Sequence, residues 1–340
     1  MHLGRKYSLK EYLVWMRWET VYIFLWSAFV TATFELLRWQ FLEIPAAELT
    51  VIGIAVAIIL GFKNQECHGR INEALTAWEQ INATSIVWTN KLLGTIGHLK
   101  TPDSAALLKT LFYRHFAWLT ALRFNLRAAK VWENIYEPGN VRFLAELPTP
   151  ESRSKLEDEL QAYVSAFELE KILAHRGDKE AFILSLQYQS IGRLFQEQLI
   201  SDTIYVSLTG ALDDLVDLQD TSKRIKNYPY ARNYYSIALI LVRLFVVILP
   251  LAIYADARDL GKPFGLEHWT AWLNVVFSVM IGWVFVTLEK VGENSSNPFE
   301  GGPNDVPISA IARRIEIEMR NLLGEEADLK HIEPKSNILF

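Results

Sequence analysis

Three groups of residues in this 340-residue chain have types and spacings suited to chemistry. The first is acidic. In "DDLVDLQD", Asp213, Asp217 and Asp220 fall on one helical face. Such carboxylates line a cation path or hold a divalent ion. On a solvated helix they instead pair with bases one turn away, here Lys223 and Arg224. The second is the adjacent pair Cys67–His68. Neighbouring helical residues point about 100° apart. No partner follows at ligand spacing, so no metal site is expected. The third is apolar. In "IGIAVAIILGF", Gly53, Ala57 and Gly61 form a stripe of minimal size beside a bulky stripe of Ile54, Ile58 and Phe62.

Catalytic signatures are absent. The chain has no GxxxxGKS or GxxxxGKT, no GxGxxG after a strand, no HExxH and no GxSxG, so no enzyme is expected. One cysteine excludes an intramolecular disulfide framework. A formal net charge of -5 argues against nucleic acid as a partner.

The elements that position these residues are of two kinds. Four apolar segments cover 20–37, 46–62, 234–254 and 269–288. Each approaches the roughly 20 residues that a helix needs to cross a hydrocarbon core. Glu35, Glu48, Arg243 with Pro250, and Asn274 interrupt them. A charge as deep as Arg243 is expected to face the bundle interior, paired with Glu35 or a backbone carbonyl, or to meet a partner. Residues 7–19, with Leu9, Tyr12, Leu13 and Met16 on one face, read as an interfacial helix. Lys and Arg crowd the N-terminus and both ends of the middle region. This bias places the termini and that region in the cytoplasm, with Trp39, Tyr254 and Trp269 at the opposite interface.

The middle region is helical in pattern throughout. Apolar stripes run over 70–99, 104–126, 154–176 and 180–226, and the second span continues into the first of them without a breaker. Four parts follow: 1–62, an interfacial helix and spans one and two; 63–233, a helical cytosolic region; 234–291, spans three and four; 292–340, a loop, a last helix and a tail. The polar tail after Gly324 is expected to be mobile.

The two stripes of the second span have two readings. The small stripe packs inside one subunit while the bulky stripe meets lipid. Alternatively, copies of the helix pack around an axis through the small stripe, and rings of Ile and Phe form a hydrophobic constriction.

"LGFKNQECHGRINEALTAW", with Gly61, Phe62, Lys63, Asn64, Arg70, Glu73 and Trp78, resembles the second-span signature of the bestrophin family, above all its bacterial branch. "LVDLQDTSKRIKNYP" (215–229) resembles the family's segment before the third span. "NPFEGGPNDVPI" (297–308) resembles its loop after the fourth.

The resemblance implies an all-α membrane protein with four transmembrane helices and a large helical cytosolic region, assembled as a homopentamer around a central pore. It implies residence in the inner membrane, contact with lipids and conduction of small monovalent ions. The implied neck residues are Ile54, Ile58 and Phe62. A second, cytosolic constriction matches "EAFILSL", with Phe182 as candidate and Ile183 as fallback. Chloride selectivity follows from animal members, and sodium selectivity is open to the bacterial branch. The calcium clasp of animal members is a run of acids. Here the loop offers only Glu300 and Asp305, and calcium takes six to eight oxygens, so no cofactor is expected. A secondary transporter or a membrane signalling scaffold is the alternative. Transporters often carry inverted repeats, and no internal repeat is visible.

Overall fold

A computed structural model describes residues 1–7, 9–99, 103–134, 137–325 and 329–340, with no side-chain placement for residues 9, 10, 40 and 138. Its described helices are α1 (Leu9–Trp15), α2 (Arg17–Leu37), α3 (Ala46–Thr95), α4 (Ser104–Arg127), α5 (Pro138–Glu146), α6 (Pro150–Arg153), α7 (Leu156–Leu160), α8 (Ala166–Ala174), α9 (Lys179–Gln196), α10 (Asp202–Asn227), α11 (Arg232–Asp259), α12 (Glu267–Thr270), α13 (Leu273–Asn294) and α14 (Ile308–Leu323). Two compact units result. The first comprises 1–3, 70–228 and 297–340, and the second comprises 4–69 and 229–296.

The second unit packs α2, the first half of α3, α11 and α13 together. Among the described residues, four helices are long and apolar enough to cross a membrane, and the chain is a multi-pass membrane protein. The core joins Ile23, Leu49, Val56, Leu60, Val242, Phe245 and Leu249. Phe24, Leu25, Phe29, Ile240 and Met280 stay exposed on the outside. This inversion is expected where lipid, not water, is the solvent. In α1, whose Leu9 side chain lies outside the described set, Tyr12 is half-buried and Leu13 is exposed; Met16, at the joint with α2, is fully buried.

The first unit is built on α4, which is buried on nearly every side: Leu111, Phe112, Phe116, Trp118, Leu119 and Leu122 all lie in its core. A helix apolar all round must be surrounded, and α7, α9, α10 and α14 pack against it. Two of its buried polar side chains find partners on neighbouring helices. Trp118 Nε1 donates to Gln219 Oε1 at 2.8 Å, and His115 Nε2 pairs with Ser85 Oγ at 2.8 Å. Burial holds the His115 pKa down at about 3, so the ring stays neutral.

Three expectations are corrected. The stripe over 154–176 is not one helix. It breaks between α7 and α8, where the Ser165 hydroxyl accepts the Glu168 N–H at 3.3 Å and caps a new N-terminus. The stripe over 180–226 breaks in the same way at Glu197–Ser201. Gln198 turns left-handed there (φ 56°), and Ser201 caps α10 through the Ile204 N–H. The described part of the tail, expected to be mobile, is docked. Leu3 N donates to Asn337 O at 2.8 Å, Leu339 N to Met1 O at 2.9 Å and Ala310 N to Phe340 O at 2.7 Å, while Ile338 and Phe340 are buried. Two apolar side chains in a polar segment supply the reason: burying each stabilises the docked form by about 1.5–3 kcal/mol.

Candidate pore-lining face

Within the second unit, α3 has two sides. Leu49, Val56, Leu60, Lys63 and Cys67 are buried. At 100° per residue, this seam lies about 140–200° around the helix from Ile58. On the far side Ile54, Ile58 and Phe62 are 57%, 54% and 67% exposed, an open row of large apolar side chains one turn apart. Ala57 and Gly61 are exposed beside them, and a Cβ added at Gly61 would meet nothing within 4 Å. Gly53 differs. A Cβ there would come 3.0 Å from Phe245 of α11, so this glycine serves packing inside the subunit. The small stripe is therefore shared: Gly53 packs inward, while Ala57 and Gly61 remain open.

One residue past Phe62 the chemistry changes. Lys63, 1% exposed, bonds Glu289 Oε1 of α13 at 2.7 Å, and its ammonium lies 4.6 Å from the centre of the Tyr235 ring. Asn64 Nδ2 donates to Leu288 O at 3.0 Å. A Cβ at Gly292 would fall 2.1 Å from Asn64 Oδ1, so only glycine allows this approach. This join leaves no mark in the sequence beyond a basic residue after one apolar segment and an acid at the end of another.

The polar interruptions of the spans resolve as follows. Glu35 takes the Tyr254 hydroxyl at 2.7 Å and His268 Nδ1 at 2.7 Å. Arg243 is exposed on the subunit and is not the partner of Glu35, which corrects the expected inward pairing. Tyr254 is corrected as well: its ring packs on Phe34 and is buried, whereas Trp39 and Trp269 do face outward. Asn274 is buried and donates to Thr31 Oγ1 and Pro250 O, both at 3.0 Å.

In the first unit, Phe182 is half-buried with its ring stacked on His175, 4.6 Å between centres, while Ile183 is turned fully into the core. Asp213, Asp217 and Asp220 are exposed on α10. The expected local pairing fails. Lys223 bonds Asp178 and Glu180, and Arg224 bonds Glu73. Asp217 and Asp220 therefore face solvent, and Asp213 accepts the Tyr188 hydroxyl. Burial and that carboxylate push the Tyr188 pKa above the ordinary tyrosine value.

The loop after α13 folds on itself. Asp305 accepts the Gly301 and Gly302 N–H groups at 2.7 and 2.8 Å, and Glu300 accepts Asn134 N–H at 2.9 Å and Asn297 Nδ2 at 2.6 Å. Gly301 sits at φ 95°, and a Cβ there would strike Thr149 at 2.5 Å. Burial, reinforced by the Asp305 charge, pushes the Glu300 pKa up to about 8. Both carboxylates are thus engaged by N–H donors, and the Arg127 guanidinium acts on Asp305 as well. Among the described residues no group of three or more His, Cys, Asp or Glu side chains converges on a metal site.

The described residues thus define an all-helical membrane protein with four spans, one of which carries an open apolar face. Residues 12–321 match the family model described as bacterial/fungal bestrophin protein, and the chain belongs to that family. It is similar to the voltage-dependent anion channel-forming protein YneE of Escherichia coli strain K12, at 25% identity over 290 residues, 85% of this chain and 80% of that protein. A protein of the same description from Ralstonia nicotianae is 23% identical over 283 residues, covering 83% and 79%. A crystal structure of a bacterial bestrophin homologue from Klebsiella pneumoniae superposes with a TM-score of 0.75 at 20% identity, over 92% of this chain and 100% of that one.

Proposed function

We propose that this chain is one subunit of a homopentameric ion channel. The observation that carries this reading is the exposed row Ile54, Ile58 and Phe62 on α3, flanked by open Ala57 and Gly61. The small residues let neighbouring copies approach, and the large ones form stacked rings that gate by dewetting. The Phe182 ring forms the second, extramembrane constriction. The channel passes small monovalent ions and sits in the inner membrane with both termini in the cytoplasm. Relatives described as anion channel-forming favour anions. Exposed Asp213, Asp217 and Asp220 favour the opposite sign through a cation-rich approach to the pore. The self-bonded loop at Glu300 and Asp305 supports activity without calcium.

Purified protein in planar bilayers tests the proposal. Single-channel currents are expected, with conductance altered in Ile58→Ala. Silence from both proteins overturns it. Under a salt gradient the reversal potential moves toward the chloride equilibrium potential for an anion channel and toward that of sodium for a cation channel. A reversal potential tied to a proton gradient would support the transporter alternative.

A further inference from the structure

The seam that holds α3 in the second unit is apolar along most of its length: Leu49, Val56, Leu60 and Cys67. Apolar contacts are non-directional, so such a seam resists separation better than rotation. Its polar end is different. The Lys63–Glu289 ion pair and the Asn64–Leu288 hydrogen bond tie α3 to α13 in two directions, and both lie within two residues of Phe62. Hydrogen bonds weaken steeply off axis, so this pair of contacts fixes rotation as well as distance. Gly292 lets the two backbones come close enough for both to form.

We propose that Lys63, Asn64, Glu289 and Gly292 are positioning residues for the neck: they lock the rotation of α3 about its own axis and so set how far Phe62 projects into the passage. This rests on the reading of Ile54, Ile58 and Phe62 as the neck. The lock acts through geometry alone, because Lys63 is buried in the seam, about 100° around α3 from Phe62, and its ammonium is already bonded to Glu289. Releasing it frees the Phe62 ring to swing across the opening, and gating changes while the pore's charge does not.

The test uses full-length protein in planar bilayers. Glu289→Gln removes the ion pair, and Gly292→Ala forces Asn64 aside with every charge retained. Each is expected to change the mean open time about tenfold, the size of coupling typical of residues in contact, with unitary selectivity and the elution volume of the assembly unchanged. Glu289→Asp is expected to restore most of the wild-type behaviour. In a Phe62→Ala background the effect of Glu289→Gln is expected to vanish. If Glu289→Gln fails to assemble, Gly292→Ala carries the same comparison. Phe62→Ala with no effect on conductance or gating overturns the neck reading and this proposal with it. An effect of Phe62→Ala combined with an undiminished effect of Glu289→Gln or Gly292→Ala in that background overturns the lock alone.

Discussion

The two units solve the same packing problem with opposite materials. The unit built on α4 hides tryptophan, phenylalanine and leucine in its centre. The unit of α2, α11, α13 and the start of α3 leaves much of its large apolar surface outside, and keeps hydrogen-bonded groups within: Asn274 with Thr31, Lys63 with Glu289, Tyr254 with Glu35. The difference is one of solvent. Water drives apolar groups inward. Lipid gives no such drive, so packing and polar contacts hold the helices together. An exposed apolar row therefore means little on the lipid side of such a unit. It gains meaning on α3 because small residues accompany it and a rigid polar join follows it.

Mutations that act differently in the two units sharpen this contrast. The largest effect is expected at Trp118→Ala, in the centre of the α4 core, where loss of a fully buried ring destabilises by about 3–5 kcal/mol. Thermal unfolding of the purified protein reads it, and a shift no larger than that of a surface variant would refute the picture of an α4-centred core. Next is Glu300. Its folded pKa, near 8, lies above the ordinary carboxylate value, so between those two pH values the folded state holds a proton that the unfolded state has lost. Stability contributed by this group is complete below the ordinary value and falls as pH rises toward 8, by about 1.4 kcal/mol per pH unit in that window. Glu300→Gln is expected to flatten the dependence; an unchanged melting profile from pH 5 to pH 8 would remove Glu300 as its source.

A smaller effect is expected at Asn274→Ala in the membrane unit. Its buried hydrogen bonds to Thr31 and Pro250 contribute about 0.6–2 kcal/mol, as interhelical bonds in lipid do. The smallest stability effect is expected at Ile58→Ala, within about 0.5 kcal/mol for a side chain exposed on its own subunit. The same variant changes conductance. A loss of subunit stability there comparable to Trp118→Ala would mean that Ile58 is packed inside the subunit and not presented to a passage.

Much of the architecture was legible in the sequence. Unbroken apolar runs mark spans, because length and composition alone decide whether a helix crosses a bilayer. The fourfold spacing of Gly53, Ala57 and Gly61 beside Ile54, Ile58 and Phe62 marked a helix with two unlike faces. The breaks before α8 and α10 were harder to see, since Ser165 and Ser201 read as ordinary helix residues until a cap bond forms. Arg243 and Tyr254 misled for a related reason: pattern gives depth along a span but not the side of the helix that a neighbour covers.

What the sequence determined by itself is therefore the local pattern: which stretches carry a helical period, which are apolar enough for lipid, and which residues share a face. Helix geometry is set by spacing, and spacing is written in the chain. The tertiary structure decided the pairings. It turned Gly53 toward Phe245, took Lys223 and Arg224 away from the neighbouring aspartates, docked the end of the tail, and joined Lys63 to Glu289 across 226 positions of sequence. A charge selects its partner by distance and burial in the folded chain, and separation along the sequence carries neither.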